Sequence, residues 1–70
     1  MKIKMQNDFD MCNHGSVFTL DPNNPEATEW IIENLPDAAP WGSGVVIEHG
    51  YVNDILDGID LCGYTVSIQN

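Results

Sequence analysis

Positive charge is nearly missing from this chain. Its 70 residues include two basic side chains against eleven aspartates and glutamates, for a net charge of −9. Both cations, Lys2 and Lys4, sit at the very start, so from Met5 onward there are eleven acids and no lysine or arginine. Such a chain repels nucleic acid, acidic membranes and acidic substrates, and it attracts basic surfaces. Long apolar runs are missing too. None approaches the roughly 18 to 20 residues of a membrane span. The opening MKIKMQNDFD lacks the apolar centre of a signal peptide, so a cytoplasmic protein is expected. Cysteine occurs only at Cys12 and Cys62, and two reduced thiols are the expectation in a cytosolic chain. There is no internal repeat, low-complexity tract or linker, which makes residues 1–70 a single domain. At this size the core supplies no more than a few kcal/mol of net stability.

The elements that are there read as strand, helix, strand, helix, strand. Lys2-Ile3-Lys4-Met5 alternates like a short strand, and Asn7 to Asn13 is polar enough for a loop, so residues 1–13 are a loop or a short extra strand. His14 to Leu20 is rich in β-formers and is stopped by Asp21-Pro22. Asn24 can cap a helix, Pro25 fits its first position and Glu26 suits its positive end. That helix runs to about Leu35, before Pro36. A loop over Asp37 to Gly44 precedes a strand over Val45 to His49. Gly50 breaks it, a second helix spans Tyr51 to Cys62, and Gly63 is its C-terminal cap. Tyr64 to Ile68 alternates as the last strand. The expected fold is α+β: a three-stranded sheet with two helices on one face, with strand direction left open.

The acids have a definite place on those helices. At about 100° per residue, Glu26, Glu29 and Glu33 cluster opposite Ala27, Ile31 and Leu35. On the second helix, Asp54, Asp57 and Asp60 lie opposite Val52, Ile55, Leu56, Ile59 and Cys62. Leu61 is the apolar exception on the outer side. A polar outer face is ordinary, but one without cations is not. Glu–Lys pairs at i,i+4 stabilise a helix by about 0.2 to 0.5 kcal/mol, and like charges at those spacings cost a similar amount. Glu33 and Asp60 also lie toward helix C-termini, where the dipole disfavours anions. These penalties point to an acidic surface kept for binding. Carboxylates one helical turn apart are roughly 5 to 6 Å from each other, comparable to phosphates along one DNA strand. A groove built for a nucleic-acid backbone reads charge far more than base identity. Glu26, Glu29, Glu33, Asp54, Asp57 and Asp60 are therefore the candidate partner-binding residues.

Residues that could carry chemistry form weaker patterns. Cys12, His14, His49 and Cys62 are four soft donors, enough for a tetrahedral zinc site, but their spacing matches no standard finger or ribbon. Cys62 with His49 is a conceivable nucleophile pair; a thiol packed at a helix end is the plainer reading. Asp8-Phe9-Asp10 starts like a calcium loop, but the glycine and terminal glutamate that should follow are missing. Gly42-Ser43-Gly44 reads as a turn before a strand, and Trp30 and Trp41 read as core or core-edge residues, with Trp30 also a candidate contact anchor beside the acids. No catalytic residue, metal or cofactor is assigned, and no enzyme activity is expected.

His14-Gly15-Ser16 before an apolar strand, Pro25 and Ala27-x-x-Trp30, Val45-Val46-Ile47-Glu48-His49, and Tyr51-Val52-x-x-Ile55-x-x-Gly58-Ile59-x-x-x-Gly63 together resemble small proteins encoded by phages, plasmids and other mobile genetic elements. The match covers about Asn13 to Ile68 and contains core positions and turns but no catalytic motif. Within that group the acidic chain is similar to the type I-C anti-CRISPR inhibitors, regarded as DNA mimics that block target recognition. The resemblance implies a partner in the host bacterial cytoplasm: the basic duplex-binding or PAM-reading surface of the Cascade large subunit, of Cas8 type. It carries over no residue roles, and no direct binding to nucleic acid or membrane is expected. The alternatives are a small Cys/His metal-binding protein and an acidic, antitoxin-like partner of another basic protein.

Overall fold

The computed structural model describes residues 7–69. In chain order its elements are β1 (Phe9–Asn13), β2 (Val17–Pro22), α1 (Pro25–Asn34), β3 (Ala39–Trp41), β4 (Gly44–Glu48), a single 3₁₀ turn (His49–Tyr51), α2 (Val52–Leu61) and β5 (Val66–Gln69). The sheet has five strands in the order β3-β4-β2-β1-β5. Every neighbouring pair is antiparallel except β1 with β5. The α+β class stands, and the three-stranded sheet is corrected to five. The segment expected to be loop, Asn7 to Asn13, contains a strand near the centre of the sheet. The loop over Asp37 to Gly44 contains an edge strand. Lys2 to Met5 lies outside the described residues.

Pairing fixes which side of the sheet each residue occupies. Met11 opposes Leu20, Asn13 opposes Phe18, Phe18 opposes Ile47 and Leu20 opposes Val45. Residues two apart share a face, so Phe9, Met11, Phe18, Leu20, Val45 and Ile47 all point one way. All six are buried and form one core with Ala27, Trp30 and Ile31 of α1 and Val52 and Ile59 of α2. Both helices therefore cover the same face. The topology explains this. The connection through α1 runs from β2 across β4 to β3, and that through α2 runs from β4 across β2 and β1 to β5. The strands that launch them are antiparallel and the crossovers move in opposite directions along the sheet, so a common hand places both helices on one side. The same relation makes α1 and α2 antiparallel. Gly58 of α2 faces the Trp30 ring, with space at 3.4 Å for no more than a methyl group.

The helix signals act as expected. The Asn24 side chain accepts a hydrogen bond from the Ala27 N–H at 2.8 Å, and Pro25 follows at the first helical position. At the end of α2, Gly63 has φ +82°. The Gly63 N–H donates to Asp60 O and the Tyr64 N–H donates to Ile59 O. This is the double bond of a Schellman cap, which needs the left-handed conformation glycine tolerates.

A polar knot ties the start of the sheet to α1 and β5. Asp8 accepts from the Asn24 side-chain amide at 2.8 Å and from the Thr65 N–H at 3.0 Å. The Asp8 carbonyl accepts from Asn23 N–H at 2.8 Å. Asn23 in turn donates its side-chain amide to Asn7 O and to the Asp10 carboxylate.

Candidate acidic interface

Each acid on the helices is exposed: Glu26, Glu29 and Glu33 on α1, and Asp54, Asp57 and Asp60 on α2. They are exposed because each helix spends its apolar side on the core. On α1 the buried residues are Ala27, Trp30 and Ile31; on α2 they are Val52 and Ile59. The sequence supplies no lysine or arginine between residues 7 and 69, so among the described residues no such cation offsets them.

The two rows differ in shape. Glu26, Glu29 and Glu33 lie within roughly 60° of one another around α1. With Trp30, Asn34, Cys62 and Tyr64 they line a cleft of about 280 Å³ between α1 and the C-terminal end of α2. Aspartates three apart drift by roughly 60° per step, so Asp54, Asp57 and Asp60 fan around α2. Asp54 lines a groove with the C-terminal end of α1, and Asp60 lines the cleft between α2 and β5. The second helix thus presents a curved acidic surface in place of the straight row that its spacing suggests.

Several other expectations are revised. Trp30 is only 7% exposed and packs edge-on against Phe9 at 5.7 Å, so it is core and no surface anchor. Its buried Nε1–H has no acceptor among the described residues. Trp41, read as core or core edge, is 59% exposed on β3. It pairs opposite Gly44, which puts it on the sheet face away from the helices. Leu61 is 87% exposed, and Ile32, Tyr51 and Ile68 are exposed as well. Ile32 lies well round α1 from Ala27, Trp30 and Ile31, so helical periodicity carries its outward place as it does for Leu61 on α2; for Tyr51 and Ile68 no such signal exists.

The Cys/His set does not converge. Cys12 pairs opposite Thr19 on the helix-free face, and His14 Nε2 lies 3.2 Å from Thr19 Oγ1. His49 packs against Phe18, which points to the other face. Cys62 is exposed at the end of α2, and both thiols are free. Among the described residues no three or more His, Cys, Asp or Glu side chains are grouped to hold a metal ion. Cys12, His14, His49 and Cys62, spread over both sheet faces and the end of α2, are not brought together among the described residues. No described helix is long and apolar enough to cross a membrane.

Fold and surface together define a small α+β protein with one helix-covered sheet face and an acidic helix layer that carries no lysine or arginine among the described residues. No family model, curated protein or solved structure matches the chain.

Proposed function

We propose that the chain is a non-catalytic inhibitor whose acidic helix layer occupies a basic, nucleic-acid-binding surface of another protein and competes there with DNA. The observation that carries this reading is the exposure of all six helical acids on a surface with no lysine or arginine from residue 7 to 69. Charge of one sign held without counter-charge costs stability, and a complementary surface on a partner offsets that cost. Two antiparallel helices with outward carboxylates give one row of negative charge on α1 and a curved acidic surface on α2, and a backbone-reading groove responds to such charge.

The resemblance to type I-C anti-CRISPR inhibitors names the partner within this proposal: the Cas8-type large subunit of Cascade in the host bacterial cytoplasm. The test is direct binding of the protein to purified type I-C Cascade at low and high salt, with and without duplex target DNA. The expected result is one-to-one exclusion of DNA. Affinity should fall as salt rises, mostly through the association rate. Binding that persists unchanged alongside bound target DNA would overturn the proposal. An antitoxin-like partner of some other basic protein would instead leave Cascade untouched.

A further inference from the structure

The cleft between α2 and β5 has a volume of about 380 Å³. Leu56 and Ile59 of α2 and Val66 and Ile68 of β5 line it, and Asn7 and Thr65 join them at the start of β5. Val66 lies opposite Phe9 and Ile68 opposite Met11, so both point to the helix-covered face with the core residues of β1. Ile68 is nonetheless 54% exposed. The cleft is an apolar margin of the core that the described residues leave open.

The backbone of β5 is open as well. β1 pairs along one side of it, and among the described residues no strand lies along the other. The Phe9 N–H donates to Thr65 O at 3.0 Å. In a parallel ladder this turns the groups of Thr65, Ser67 and Gln69 toward β1 and those of Val66 and Ile68 outward. Free edges are commonly guarded by a proline or a lysine, and Val66-Ser67-Ile68-Gln69 has neither. The helix-free face adds a third observation. There Asp10 of β1 and Asp21 of β2 stand directly opposite each other, both half-buried, a like-charge pairing that costs stability. The Asn23 amide donates to Asp10 at 3.2 Å but brings no positive charge. Ser67 of β5 lies beside Asp10 on the same face.

We propose that residues 2–5 of this chain occupy that edge as a sixth strand, antiparallel to β5, and close the cleft. Residues 1–6 lie outside the described residues, but Asn7 lines the cleft at the start of β5, so the segment departs from the point where such a strand enters. Six extended residues reach about 20 Å, and the four residues of β5 span about 13 Å. A chain that leaves Asn7 and follows β5 runs antiparallel to it. Lys2-Ile3-Lys4-Met5 alternates with the period of a strand. With Met5 beside Val66 and Ile3 beside Ile68, both apolar side chains cover the cleft, and the outward backbone groups of Val66 and Ile68 gain partners. Lys4 then falls beside Ser67 on the helix-free face, in line with Asp10 and Asp21, and Lys2 beside Gln69. The two lysines of the chain thereby meet the acidic pair of the sheet. A shift of one residue would turn both lysines onto the apolar cleft, so the register is fixed. A second copy of the chain is a poorer occupant, because each copy brings a net charge of −9.

The test is amide hydrogen exchange on the ¹⁵N-labelled full chain and on its Ile3→Asp, Met5→Asp variant, each at two protein concentrations. In the wild type the Val66 and Ile68 amides should exchange roughly tenfold more slowly than in the variant, at both concentrations, while the amides of β2 and β4 keep their protection in both proteins. Nuclear Overhauser contacts in the wild type should join the Ile3 and Met5 side chains to Leu56, Val66 and Ile68. Those contacts decide the matter by themselves if the variant does not fold. Equal exchange at Val66 and Ile68 in the two folded proteins would overturn the proposal, as would wild-type spectra without those contacts. Protection that rises with protein concentration would give the edge to a second copy and overturn it too. Every outcome is independent of DNA exclusion from Cascade.

Discussion

Asp8 and the helical acids carry the same charge in opposite settings. Asp8 accepts from the Asn24 amide and the Thr65 N–H, and its hydrogen bonds join three elements. Glu26, Glu29 and Glu33 on α1 and Asp54, Asp57 and Asp60 on α2 stand in solvent beside one another. The first carboxylate ties elements of the fold together; of the other six, only Glu26 and Asp54, in the first turns of their helices, have a local reason to be acidic. A chain selected only for solubility would mix cations into such helices and lose nothing, so the contrast locates the part of the acidity that the fold does not explain.

Mutations that exchange the two settings should have opposite signs. The largest effect belongs to Asp8→Ala. Losing charge-assisted hydrogen bonds to Asn24 and Thr65 should cost about 2 kcal/mol. In a domain of this size that lowers the melting temperature by roughly 10 °C, measured by circular dichroism. Next is Asn24→Ala, which removes the Ala27 N–H acceptor and should cost about 1 kcal/mol. Urea unfolding should show it as a lower midpoint with an unchanged slope.

Charge reversal at the centre of each row should act the other way. Glu29 lies three residues from Glu26 and four from Glu33, and Asp57 lies three from both Asp54 and Asp60. Glu29→Lys with Asp57→Lys converts four repulsive helical spacings into attractive ones, a sum of roughly 1.6 to 4 kcal/mol in isolated helices that solvent screening at these exposed sites reduces to about 1 kcal/mol. A loss of stability in that variant would show that the helical acids make favourable contacts after all. The smallest effect is that of salt. Raising ionic strength screens exposed repulsion over about 3 to 10 Å, so added sodium chloride should raise the wild-type melting temperature by a few degrees. The double reversal should respond less.

The same contrast explains what was legible in the sequence. Both helices were, because Asn24-Pro25-Glu26 and Gly63 are local signals whose chemistry works within one turn. The outward acids followed from helical periodicity alone. β1 was not legible as a strand. Phe9 and Met11 alternate with Asp10 and Cys12 as a strand should, but Asn7, Asp8 and Asn13 around them read as loop. Those flanking polar groups find partners far along the chain, Asp8 at Thr65 and Asn7 at Asn23, and no local pattern announces that. β3 was hidden by Pro40, which is compatible with an edge position and so weakens the strand signal at the one place it is allowed. The groove at the β4 edge was equally invisible, since Leu35, Ile47 and Ile55 come to line it only through the crossing of α1 over β4 and the antiparallel packing of α2 beside α1.

Phosphate mimicry makes one demand that ordinary solvation does not: the residues that weaken the fold must be those that strengthen binding. The decisive measurement is target-DNA binding by type I-C Cascade in the presence of wild-type protein or the Glu29→Lys, Asp57→Lys variant, with thermal unfolding of both proteins recorded in the same buffer. Mimicry predicts that the wild type displaces DNA in a dose-dependent manner, while the variant melts at a higher temperature and has lost at least a hundredfold in inhibitory potency. A well-folded variant that still displaces DNA as effectively as the wild type would contradict it, and the helical acids would be a solvated face.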